Sequence, residues 1–278
     1  MVNIMSDNDL DVVGEWTEVK LNILRDYASA YVTILKKQTS IRHVAYIDAF
    51  AGAGEHISKA TKEKIEGSPA IALGLNFDHF HFIDLSGSKT ERLKTMSAAA
   101  GKANVSIYQG DCNTVLIDKV FPTCLWMNRC RALCLLDPYK INLSWSVVKK
   151  AGETKSIEVF INFMIMDANM NALKKDPSKV SLEQAKRMTE FWGDETWRDI
   201  AYEDGLFAEY KDKVSNERII EAYRKRLKEV AGFKYVPDPI PMRNSMGSTV
   251  YYLFFASPND TGAKIVEQVF DKHMKGGQ

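Results

Sequence analysis

The feature that most constrains this chain is an alternation of apolar, strand-length runs with helix-patterned segments. "HVAYIDAF", "HFHFIDL", "NVSIYQGD", "RALCLLDPY" and "SIEVFINF" read as strands. Between them "SPAIALGL", "SKTERLKTMSAAA", "CNTVLIDKVF" and "LSWSVVKKAG" carry helix spacing. Near-continuous apolar strands separated by helices predict an α/β fold with a parallel sheet covered on both faces. Two further strands, "FKYVPDPIPM" and "STVYYLFFAS", are joined by "RNSMG", which is too short for a crossover helix. They are expected to form an antiparallel C-terminal hairpin, completing a mostly parallel seven-stranded sheet. A last helix, "TGAKIVEQVFDKH", follows.

Ahead of the first strand, "WTEVKLNILRDYASAYVTILKKQ" places Leu21, Leu24, Ala28, Tyr31 and Leu35 on one helix face. Residues 1–15 are polar and acidic and are expected to fray. Residues 167–230 are charged and helical, and exceed what one crossover needs, so they read as a helical insertion or cap. Phe191, Trp192, Trp197 and Phe207 give that cap something to bury, and it is expected to cover or choose the substrate. The expected organisation is an N-terminal extension and helix over 1–40 and a nucleoside-binding core over 41–166. The cap follows over 167–230, and a hairpin and helix completing the core over 231–278. At 278 residues, one core with an insertion fits. Lys plus Arg number 37 against 36 Asp plus Glu, so no global field advertises a polyanionic partner. There is neither a leader pattern nor an apolar run of the ~20 residues that a membrane span needs, so a soluble, cytoplasmic protein without a membrane partner is expected.

Ligands of open α/β sheets bind beyond the carboxyl ends of the strands. Four successive strand ends here carry an acid: Asp48 before "AFAGAG", Asp84, Asp111 after Gly110, and Asp137 before Pro138 and Tyr139. The turn offers only Gly52 and Gly54, with His56 and Ile57 where the third glycine of a dinucleotide fingerprint should fall. No Gly-Lys-Ser/Thr ending marks a phosphate loop. Four carboxylates repel a polyphosphate. They suit a cationic nucleoside whose hydroxyls and amine they can accept. S-adenosyl-L-methionine (SAM) is such a ligand, with Asp84 placed for its ribose and Asp111 for its adenine.

The "DAFAGAG" turn, Asp84, "GD" at 110–111 and "LLDPY" at 135–139 resemble class I SAM-dependent methyltransferases. "LNILRDYASAYVTIL", "YIDAFAGAG", "EGSPAIAL", "HFIDL", "LLDPYKINLSW" and "YYLFFAS" resemble, more narrowly, the three-Cys-motif partner proteins. The resemblance implies a Rossmann-like class I methyltransferase fold and SAM as cosubstrate, held by Asp48, Phe50, Gly52, Gly54, Ser68, Asp84 and Asp111. It also implies a partner that is a radical-SAM-type protein carrying the three cysteines. "DPY" is similar to the Asp/Asn-Pro-Pro-aromatic motif of enzymes that methylate amines of nucleic acids, with one proline missing. By that likeness Asp137 and the Pro138 carbonyl would accept the hydrogens of a target amine, and Tyr139 would stack on its base. "AFAGAG" and "GSP" are also similar to adenine-N6 methyltransferases of ribosomal RNA. The expected function is thus N-methylation of a nucleobase or another amine. The alternative is a non-catalytic accessory partner on the same fold.

Blander roles stand beside these. Asp84 and Asp111 can cap helices. Ser68 can be the N-cap of a helix with Pro69 at its first position, or touch the cosubstrate carboxylate. Gly152 can end its helix. His56 is a lone loop histidine with a lesser claim to be a general base. Asn162 can line a substrate pocket. Lys20, Arg25 and Lys36 are expected on a solvated helix face, as are "KKDPSK" and "YRKRLK", unless they touch nucleic acid. Cys112, Cys124, Cys130 and Cys134 lack the spacing of a zinc or redox motif and are expected to be reduced, buried thiols, so no metal is expected.

Overall fold

The computed structural model describes residues 10–204 and 211–275. Its strands are β1 (Asp11–Val13), β2 (His43–Asp48), β3 (Glu55–Ser58), β4 (Lys64–Glu66), β5 (His79–Asp84), β6 (Val105–Gln109), β7 (Cys130–Leu136), β8 (Ile157–Phe163), β9 (Tyr202–Asp204), β10 (Lys211–Lys213), β11 (Ile240–Arg243) and β12 (Thr249–Ala256). Its α-helices are α1 (Glu15–Leu35), α2 (Ser68–Leu73), α3 (Gly87–Ala99), α4 (Cys112–Val115), α5 (Trp145–Thr154), α6 (Ile165–Asn171), α7 (Leu182–Trp192), α8 (Trp197–Ala201), α9 (Asn216–Glu229) and α10 (Asp260–Lys275).

The main sheet has seven strands in the order β11-β12-β8-β7-β2-β5-β6. Five of them pair in parallel, and β12 lies antiparallel to both β8 and β11. This is the mostly parallel sheet with a C-terminal antiparallel hairpin that the sequence predicts, in a Rossmann-like α/β arrangement. Alternate residues of each strand face opposite layers. Ala45, Ile47, Cys134, Leu136, Ile161 and Phe163 join one buried cluster with α5, α7 and α9. Val44, Tyr46, Leu133, Leu135 and Phe160 join the other with α1, α2 and α10. Layering on both faces explains why the strands read as unbroken apolar runs.

Three local expectations are corrected. The N-terminal segment does not fray throughout: Leu10 is buried, and β1 pairs in parallel with β3, which pairs with β4. The "EHISKATKEKIEG" stretch is thus a hairpin that recruits the N-terminal strand into a small three-stranded flap. Helix α2 is capped by Gly67 rather than Ser68, and Pro69 is its second residue. Helix α5 passes Gly152 and ends at Thr154, where Lys155 adopts the left-handed conformation.

The helical segment after β8 packs on the sheet. Trp192 and Trp197 are fully buried, Phe191 stacks on Tyr223 at 5.3 Å, and Tyr223 meets Phe254 of β12 edge-on at the same distance. Phe207 lies outside the described residues. The reason for a glycine at 152 is close approach: a Cβ there would stand 2.0 Å from the carbonyl oxygen of Ala231, just after α9. Gly152→Ala should therefore force α5 and α9 apart and cost about 1–3 kcal/mol. A lower denaturant midpoint with an unchanged slope would show it; an unchanged midpoint would refute the packing account.

Candidate functional site

The carboxyl ends of β2, β5, β6 and β7 meet at one edge of the sheet, and two cavities open there on either side of Phe50. The first, of about 300 Å³, is lined by Phe50, Gly52, Ser68, Asp137, Pro138 and Tyr139 together with Lys20, His56 and Tyr251. The second, of about 190 Å³, is lined by Phe50, Asp84, Gly110, Asp111 and Tyr139 with Leu85 and Asn142. The predicted residues therefore converge, except that Asp48 and Gly54 line neither cavity and act from behind.

The glycine turn needs its glycines for different reasons. Gly52 has φ +63 and Gly54 φ +84, backbone conformations that favour glycine. A Cβ on Gly52 would meet nothing within 4 Å, so its demand is conformational. A Cβ on Gly54 would collide with Met96 at 2.5 Å. Gly67, which the sequence reading did not single out, donates its N–H to the Gly54 carbonyl at 2.8 Å, and a Cβ on it would stand 2.8 Å from that oxygen.

Asp84 fastens the turn. One oxygen accepts the Gly52 N–H at 3.0 Å, and the other accepts the Ser86 N–H at 2.8 Å. The N-cap of α3 is Ser86. Asp111 does cap α4, accepting from the Asn113 backbone at 3.1 Å, and its side chain remains exposed beside the second cavity. Both acids keep lone pairs for hydroxyl or amine donors, since a carboxylate has about four acceptor sites.

Asp48 is fully buried. Burial pushes its carboxyl up to about 7, the Ser68 hydroxyl opposes that shift, and the negative charge of Asp137 adds to it. The Tyr46 hydroxyl donates to it at 3.3 Å and the Phe50 N–H at 3.4 Å.

Both oxygens of Asp137 are engaged. Lys20 of α1 donates to one carboxylate oxygen and Asn162 of β8 to the other. This corrects the expectation for Lys20. It is buried in the first cavity, whereas Arg25 and Lys36 stay partly exposed in pairs with Glu66 and Asp78. Sequence spacing could have flagged it, since Lys20 adjoins Leu21 and precedes Leu24 by four residues at the edge of the buried face. Its partner, 117 positions away, had no local signal.

Tyr139 is exposed. Its hydroxyl donates to Asp11 of β1 at 2.6 Å, and Lys89, itself 2.9 Å from Asp11, lies 5.7 Å from the ring centre. His56 sits on β3 with its Nδ1 buried and without a hydrogen-bond partner. Burial and the adjacent Lys20 charge hold it below its usual range, so it is neutral at pH 7. Among the described residues none of 167–230 lines either cavity. The four cysteines are buried free thiols. Among the described residues no group of three or more His, Cys, Asp or Glu is arranged to hold a metal, and no helix is long and apolar enough to cross a membrane.

No protein-family model matches the chain, and no curated protein matches it in sequence. Solved structures do. A Legionella pneumophila protein described as family-model DUF519 aligns over 93% of this chain and 94% of its own, with a TM-score of 0.53 at 10% identity. Trm1 from Pyrococcus horikoshii, in complex with S-adenosyl-L-methionine, gives 0.46 over 91% of this chain and 58% of its own at 13% identity. Magnesium protoporphyrin IX methyltransferase from Synechocystis, with bound SAH, gives 0.39 over 86% of this chain and 84% of its own at 10% identity. At such identity the likeness is one of fold.

The protonation of Asp48 leads to a stability test. Its folded-state value lies above the ordinary 3.8, so the native state binds the extra proton. Its favourable contribution is complete below pH 3.8 and is lost as pH rises to about 7. Asp48→Asn should accordingly stabilise the free protein at pH 8, by on the order of 4 kcal/mol at most, and change little near pH 4. Paired denaturant melts at the two pH values check this, and an equal effect at both would rule out the buried, protonated acid.

Proposed function

We propose that the chain is a SAM-dependent methyltransferase acting on an amine nitrogen, with a nucleobase as the favoured acceptor. The observation that carries this reading is the convergence of Asp84, Asp111 and Asp137 on two adjoining cavities at the carboxyl edge that share Phe50 and Tyr139. The residues fit the cosubstrate in charge and hydrogen-bonding chemistry. Ionised Asp48, beneath the turn, would balance the methionine ammonium. Asp84 would accept the ribose hydroxyls, and Asp111 the adenine amine.

A sulfonium methyl needs an in-line nucleophile and exclusion of water, and supplies its own leaving group. The work left to this chain is orientation. Asp137 and the Pro138 carbonyl would accept the N–H groups of the acceptor, freeing its lone pair. The exposed Tyr139 ring offers a stacking face, which favours a flat base over an aliphatic amine. The neutral imidazole of His56 could take the released proton and pass it outward.

A second reading has its own support. Both oxygens of Asp137 are engaged by Lys20 and Asn162, and Tyr139 is tied to Asp11. An external amine must compete with Lys20 for Asp137. A partner that grips the exposed Val12, Leu85 and Tyr139 around the mouth could decide that competition, or the fold could serve only as its accessory. The resemblance to three-Cys-motif partner proteins makes a radical-SAM-type protein the first partner to try.

Calorimetric titration with SAM and its demethylated product tests the cosubstrate. Affinity for SAM should rise roughly tenfold between pH 6 and pH 8 as Asp48 ionises, and Asp84→Asn should weaken it about tenfold. A folded protein that binds neither ligand at either pH would exclude the stand-alone methyltransferase.

A further inference from the structure

We propose that Lys20 is itself a methyl acceptor, modified in cis by the site it lines. The inference rests on the reading of the cavity as a SAM-dependent methyl-transfer site. Lys20 is the one lysine among the described residues that lines the first cavity. Its Nζ lies on Asp137, where an acceptor amine is expected, and Asn162 fixes that carboxylate from the other side. The lysine is 7% exposed, so its amine is shielded from bulk water. Burial also keeps its long side chain ordered, because Trp16, Leu21 and Tyr251 line the same space. The contact that a foreign amine would have to make is thus already made by the chain's own.

The chemistry balances with a sulfonium methyl donor as co-reactant. The Lys20 ammonium gives one proton to Asp137, and the freed lone pair on Nζ attacks the methyl carbon. The N–C bond forms as the S–C bond breaks, and the bonding pair stays on sulfur, leaving a neutral thioether. The attack leaves Nζ as methyl-lysinium directly, and the proton held by Asp137 passes to solvent, so one proton is released per transfer. A neutral His56 on the cavity wall offers that proton a way out. Only the deprotonated amine has a lone pair, so the rate should climb with pH. Methyl-lysinium still has N–H donors and a positive charge, so the contact with Asp137 survives the modification.

The experiment is intact-mass analysis of the purified chain incubated with SAM, followed by peptide mapping, beside titration with the demethylated product. The expected result is a gain of one methyl group on the peptide that contains Lys20, growing faster at pH 9 than at pH 7. It should be absent in Lys20→Arg, which keeps the charge opposite Asp137, and slowed roughly hundredfold in Asp137→Asn. Product binding without any mass gain would overturn the proposal and leave the cosubstrate reading standing. A gain on another residue, or one that persists in Lys20→Arg, would overturn it too. Absence of product binding in a folded chain would remove the cosubstrate reading, and this proposal with it.

Discussion

The site depends on one charge pair. Asp137 stands at the end of a central strand with Lys20 on one oxygen and Asn162 on the other. Lys20 comes from a helix that precedes the sheet in the chain, and Asn162 from the neighbouring strand. The pair therefore joins three elements at the carboxyl edge of the sheet. Burying such a pair is a poor source of stability, because desolvation offsets most of the attraction, whereas losing one partner leaves an unbalanced charge worth about 3–5 kcal/mol. Its effect here is to fix position. With α1 held at the sheet edge, Glu18 reaches Ser58 of β3 at 2.7 Å and Arg25 reaches Glu66 of β4 at 2.9 Å, so the flap is set by the same helix. The flap in turn brings Asp11 to Tyr139.

The carboxylates around this pair are kept in different states by their surroundings. Asp48 has only neutral hydrogen-bond donors, and burial outweighs both these and the Lys20 charge, so it holds its proton near neutrality. Asp84 is half-buried and spends its oxygens on backbone N–H groups. Asp111 is exposed. Like charges gathered at one edge repel one another, and each environment answers that repulsion differently: a retained proton, backbone amides, water and, for Asp137, an ammonium.

Most of the architecture was legible in the sequence. Strands buried on both faces leave an unbroken apolar signature, and a short loop between two strands forces an antiparallel pair. The acids at the strand ends were legible because a parallel sheet sends every strand end to one edge. The flap was missed for the opposite reason. β1 has three residues, and its pairing with β3 joins positions about 45 apart with no periodicity to announce it. Lys20 was misread because a lysine beside an apolar stripe is solvated unless something distant neutralises it. Ser68 was misplaced by one residue because glycine also caps helices well, and Gly67 is required there by its contact with Gly54.

The helical segment after β8 acts on the site without touching a ligand cavity. Asp167 of α6 is buried and accepts the Ile141 N–H at 3.0 Å, two residues beyond Tyr139. Arg187 of α7 holds the same carboxylate oxygen at 3.1 Å, and Asn171 donates to the other at 2.8 Å. α7 is anchored in turn by Phe191 and Trp192 against Tyr223 of α9. This chain of contacts runs from the aromatic core to the loop that carries Asp137, Pro138 and Tyr139. In a motif shortened by one proline, that loop has lost part of its intrinsic stiffness. A carboxylate clamp two residues beyond Tyr139 stiffens it instead, so the added helices brace the loop.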